Sequence, residues 1–60
     1  MVSDLVYYRQ RSAEERAAAA AAPSERVRAV HLDLAMRYDE RLVSLAAEQR
    51  RAEMHLVSAA

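Results

Sequence analysis

Two histidines, three tyrosines and nine arginines are the residues here that could do chemistry, and their spacing limits what that chemistry is. His31 and His55 stand 24 positions apart. A metal site on a helix wants ligands one turn apart, as in His-x-x-x-His or Glu-x-x-His. Position 28 is Arg and position 35 is Ala, so His31 has no such ligand, and Glu53 lies two residues from His55, on another face. The chain has no cysteine, which removes thiolate ligands and disulfides together. His31 is expected to be a boundary histidine with its ring partly packed. No metal and no other cofactor is expected.

Tyr7, Tyr8 and Tyr38 could stack on bases. An aromatic near the open end of an alanine-rich hairpin instead plugs that end and keeps its hydroxyl in water. Tyr8 and Tyr38 are read this way, and Tyr7 faces away. The arginines fall into patches: Arg9, Arg11 and Arg16; Arg26 and Arg28; Arg50 and Arg51. Each patch has acids within a turn (Glu14 and Glu15, Glu25, Glu48 and Glu53), the pattern of a solvated helix face. Nine basic residues against nine acidic ones leave a formal charge of zero. Nucleic-acid binding needs net phosphate neutralisation, so nucleic acid is not the expected partner. A small nucleic-acid-associated regulator using its arginines stands as the alternative function. There is no Ser/His/Asp or Cys/His arrangement, and the absence of glycine removes phosphate-cradling loops. Two helices without long loops also build no enclosed pocket. An enzyme is not expected.

The element that must position these residues is the stretch from Ser24 to Val57, which has neither Pro nor Gly. Val27, His31, Leu34, Tyr38, Leu42, Leu45, Gln49, Ala52 and Leu56 recur with a mean step of about 3.6, the period of a straight α-helix. A second apolar row, Leu32, Met36, Val43, Ala47 and Met54, lies roughly 140° away, with Ala35 and Ala46 in the wedge between the rows. Asp33, Arg37, Glu40, Ser44, Glu48, Arg51 and His55 fill a polar sector. The apolar arc covers more than half the cylinder, whereas a surface helix needs about 100°. One short partner helix cannot cover that arc. Met36 and Met54 add the adaptable side chains common at interfaces.

Before Pro23 the sequence predicts a shorter helix. Ser3 is a plausible N-cap, with Asp4 complementing the dipole of the first turn. Leu5, Tyr8, Ser12 and Ala19 share one face, and Arg11 can pair with Glu14 or Glu15. The alanines at 17–22 continue the helix at little cost and let a neighbour approach closely. Pro23 ends it. Either Pro23 is the first residue of the next helix, or Ser24 caps it. Both leave a short connection, and short connections make antiparallel neighbours. With Ala20 opposite Val27, facing positions total about 47. Leu5 then meets Leu42, Tyr8 nears Tyr38, Ser12 nears Ala35, and the alanines lie under Val27, Val30 and His31. At 1.5 Å per residue the second helix outruns the first by roughly 14 residues, which leaves Leu45, Ala46, Ala47, Met54, Leu56 and Val57 without a partner in the chain.

The N-terminus lacks the positive charge of a signal peptide, and no apolar run approaches the ~20 residues needed to span a bilayer. A cytoplasmic location and no membrane partner are expected. The segments Asp4-Leu-Val-Tyr-Tyr-Arg-Gln-Arg, Ala13-Glu-Glu-Arg-Ala and Arg28-Ala-Val-His-Leu-Asp-Leu-Ala-Met-Arg-Tyr resemble a group of short alphaproteobacterial Ala/Arg-rich helical-hairpin proteins of unknown function. The resemblance covers about residues 4–41. It implies a bacterial cytoplasmic helical hairpin and no mechanism.

The fold expected is all-α: an antiparallel two-helix hairpin, with helix one over about 4–21, a turn at about 22–24, and helix two over about 25–57. Sixty residues make one domain at most, of a size that buries only about 60% of its unfolded surface. The surplus apolar arc points to a self-associating protein–protein interaction module. A homodimer forming a four-helix arrangement, open to a larger protein partner, is expected. The interface candidates are Leu32, Met36, Val43, Leu45, Met54 and Leu56.

Overall fold

The structure is a computed structural model that describes the backbone of residues 3–59 and the side chains of residues 3–55. Two helices, α1 (Asp4–Ala20) and α2 (Glu25–Ala59), form a hairpin with unequal arms, 55 Å along its longest axis. The side chains of Leu56 and Val57 lie outside the described residues.

Each helix starts at a serine. The Ser3 hydroxyl accepts a hydrogen bond from the Val6 amide at 3.2 Å, and Asp4 follows in the first turn. The Ser24 hydroxyl accepts from the Val27 amide, also at 3.2 Å. Of the two starts left open for α2, the structure adopts the serine cap. Pro23 stays outside the helix, and Glu25 takes the first turn beside the positive end of the dipole. At the other end of α1 the Ala21 and Ala22 amides close onto the Ala17 and Ala19 carbonyls, each at 3.2 Å. These bonds satisfy the last turn before the chain reverses.

The contact between the helices runs over small side chains. Ala35 is fully buried and Ala19 is 3% exposed, with Ser12 buried beside them. α1 therefore sits on the alanine wedge of α2 and not on either bulky row. Small residues allow two backbones to close up, and the larger His31, Tyr38 and Leu42 are left half-buried at one edge. Glu15 faces His31 and Tyr8 faces Tyr38, both pairs of positions totalling 46. The Ser12–Asp39 pair totals 51, so the cross-helix contacts bracket the expected 47.

Two details depart from that register. Ala20 and Val27 are both exposed, because α1 stops at Ala20 and its last residue turns away from α2. Val30 is 56% exposed and has no alanine over it. It lies about 140° around the helix from Ala35, beyond the reach of one covering helix. At the far end Leu45, Ala46 and Ala47 are half-buried, and every residue from Glu48 to His55 is exposed. The overhang begins two or three residues later than expected.

Candidate functional site

Two features could carry function: a polar network inside the hairpin and an apolar stripe outside it.

The network crosses the helix contact through Arg11, Ser12, Glu15 and Arg16 of α1 and His31, Tyr38 and Asp39 of α2. Glu15 is 8% exposed, yet both its oxygens are held. One lies 2.7 Å from His31 Nδ1, and the other accepts from Arg11 at 3.0 Å. The His31 hydrogen bond, ahead of the charge of Arg11, holds the Glu15 carboxyl below its ordinary range, against the opposing effect of burial. An ionised carboxylate only accepts hydrogen bonds, so His31 Nδ1 carries the proton between them. Asp39 accepts from the Ser12 hydroxyl at 2.5 Å and from Arg16. The Ser12 bond first and the Arg16 bond second hold its carboxyl low as well.

Arg11 is the hub at the open end. It bonds Glu14, reaches the Tyr38 hydroxyl at a long 3.4 Å, and rests its guanidinium 5.3 Å from the centre of the Tyr38 ring. The Tyr38 hydroxyl and then Glu14 reinforce its positive charge. Tyr8 lies against Tyr38 with ring centres 5.9 Å apart, and the exposed Tyr7 meets Tyr8 edge-on at 5.2 Å. Both pairs of tyrosines cluster where the open end of the hairpin was expected to be plugged.

Chemically this network is a clasp. Every carboxylate in it is neutralised by a neighbour. Among the described residues no three His, Cys, Asp or Glu side chains come together as a metal site. The pairing of Arg11 with Glu14 and Glu15 within α1 is the expected one, whereas the bonds that cross to His31 and Asp39 of α2 do not follow from spacing along one helix. The signal was present in the register: facing positions near 47 place His31 one residue from Glu15 on the opposite helix.

The stripe lies on α2 to one side of α1. Leu32 is 39% exposed, Met36 55%, Val43 70% and Met54 63%. On the helix these four fall within about 40° of one another, so they form one row along the rod. Leu45, the fifth candidate, is half-buried and sits on the opposite flank with Leu34 and Val27; the side chain of Leu56 lies outside the described residues. Met36, Asp39, Glu40, Val43 and Ser44 line a shallow groove along the stripe. Its floor is apolar and its rim acidic. No helix among the described residues is long and apolar enough to cross a membrane. Comparison with protein-family models, with curated proteins and with solved structures finds no match for this chain.

Proposed function

We propose that this chain is a non-enzymatic protein–protein interaction module that self-associates, pairing two hairpins into a four-helix arrangement able to present a face to a larger partner. The observation that carries the reading is the exposed row Leu32, Met36, Val43 and Met54 on a hairpin whose buried apolar side chains, among the described residues, are Ala19 and Ala35. A contiguous apolar row on so small a protein marks an interaction surface. A two-fold dimer is the commonest way for such a surface to close on itself. The formal charge of zero, nine basic residues against nine acidic ones, supports a protein partner over nucleic acid.

Sedimentation equilibrium at low micromolar concentration tests the proposal, with the wild type beside a Val43→Glu/Met54→Glu variant. The expected result is a dimeric wild type and a monomeric variant. A folded, monomeric wild type whose helicity does not change with concentration would sink the idea.

A further inference from the structure

We propose that the second copy lies antiparallel along α2, its overhang seated in the groove of Met36 and Val43, with Glu40 of each chain against Arg51 of the partner subunit. This rests on the self-association argued above and adds its orientation and register.

The stripe repeats at an interval of eleven. Leu32, Val43 and Met54 are eleven residues apart, as are Met36 and Ala47. Eleven residues in three turns give about 3.67 per turn, close to the period of a straight helix, so the row stays on one side of the rod instead of winding around it. The row drifts by only about 20° per repeat, so two such rows pack along one another with a slight right-handed coil. The α2 overhang supplies the necessary length, since residues 48–55 are exposed and extend past α1.

Charge selects the direction. Asp39 and Arg50 flank the stripe on one edge, Glu40 and Arg51 on the other, with the acids near the groove and the arginines near the overhang. In a parallel pair the two acidic ends lie side by side, as do the two basic ends, and like charges repel. A two-fold axis between antiparallel helices instead brings matching edges together, head against tail. When facing positions total 90, Met36 meets Met54 of the partner subunit and Val43 meets Ala47 of the partner subunit. In the same register Asp39 falls within one position of Arg50 of the partner subunit, and Glu40 within one of Arg51 of the partner subunit. The apolar row alone also accommodates a total of 86, with Leu32 on Met54 of the partner subunit, and the acid–arginine pattern decides for 90.

The groove fits that occupant. Its floor of Met36 and Val43 suits an incoming methionine and alanine, and its rim of Asp39 and Glu40 suits the arginines beside them. Asp39 is already held by Ser12 and Arg16 within its own chain. Glu40, Arg50 and Arg51 make no ion pair among the described residues, so the Glu40–Arg51 contact carries most of the selectivity. Charge complementarity of this kind decides orientation more than it adds affinity.

A charge-reversal cycle read by sedimentation equilibrium tests the alignment, with circular dichroism to follow helicity. Glu40→Arg and Arg51→Glu alone should each weaken the dimer about fivefold, the scale of two symmetric exposed ion pairs. The double variant, which rebuilds both contacts with signs exchanged, should recover nearly to wild type. A dimeric wild type whose double variant weakens by the product of the single effects overturns the alignment and leaves self-association standing; a monomeric wild type overturns both. Nitroxide labels on Asp33→Cys and His55→Cys give an independent reading. The antiparallel register predicts axial separations of about 36 Å and about 30 Å respectively at 1.5 Å per residue. Equal, short separations at both positions overturn it.

Discussion

His31 Nδ1 lies 2.7 Å from Glu15, and this bond ties the two helices together at a point where Glu15 is largely withdrawn from water and His31 is half-buried. The carboxylate is also held by Arg11, so Glu15 stands between two donors, one from each helix. Removing one partner of a buried polar pair costs more than the pair itself contributes, because the survivor stays desolvated.

Replacing His31 with Ala should therefore lower the unfolding midpoint, and His31→Gln should lower it less, since an amide can still donate to the carboxylate. A double-mutant cycle with Glu15→Ala isolates the bond from the packing of the ring. A loss on His31→Ala that is the same with and without Glu15 would show that the bond contributes nothing to stability.

Acid should weaken the clasp. The usual values are 4.5 for Glu15 and 3.8 for Asp39, and both are lowered in the folded chain by the bonds from His31 and Ser12. A carboxyl with a depressed folded pKa adds stability that is complete above its unfolded value and is lost as pH falls through the folded value. The contribution of these two groups should be flat from neutral pH to about 5 and then fall steadily with further acidification. Chemical denaturation across that range checks it. A Glu15→Gln/Asp39→Asn variant should start lower and show a shallower loss below pH 5.

The helical periodicity of α2, the breaking effect of Pro23 and the unequal arms were all legible from residue types, because each depends on local geometry. The register was nearly legible too: Tyr8 against Tyr38 follows from counting back from a short turn. The face of α2 that receives α1 was not. The bulky rows dominate the periodicity of α2, whereas the helices meet over the buried Ala35 and Ala19. That choice puts Asp39 at the contact edge and opens it to Ser12 and Arg16. Side chains that pair across helices cannot be read from spacing along either one alone.

The alanine contact gives a sharp contrast between neighbours. Ala19 is buried and Ala20 is exposed. Ala19→Leu forces a branched side chain into a filled contact, and overpacking of this kind costs about 1–3 kcal/mol. Ala20→Leu extends into solvent and should leave the unfolding midpoint nearly unchanged, since both residues are strong helix formers. Thermal melts of the two variants should separate clearly. Equal midpoints would mean that the helices do not close over Ala19.

The unfolding midpoint itself should rise with protein concentration. Among the described residues the buried apolar groups are Ala19 and Ala35, and no large side chain is fully buried. Fully burying a Val or Leu is worth about 1.5–3 kcal/mol, whereas ordering each residue costs about 1.5 kcal/mol. A lone hairpin with half-buried leucines and no disulfide has too little core among the described residues to offset that cost. In the proposed dimer Met36, Val43 and Met54 are covered on both chains at once, which would make folding and association one equilibrium whose midpoint moves with concentration. Melts followed by circular dichroism from about 1 to about 100 µM, above and below a micromolar dissociation constant, should shift upward by several degrees. Val43→Glu, whose parent side chain is 70% exposed in the single hairpin, should depress the midpoint and abolish the shift. At an exposed site of an isolated monomer the same substitution would change stability little. A concentration-independent midpoint that Val43→Glu leaves unmoved would therefore mean that one chain supplies all of its own stability.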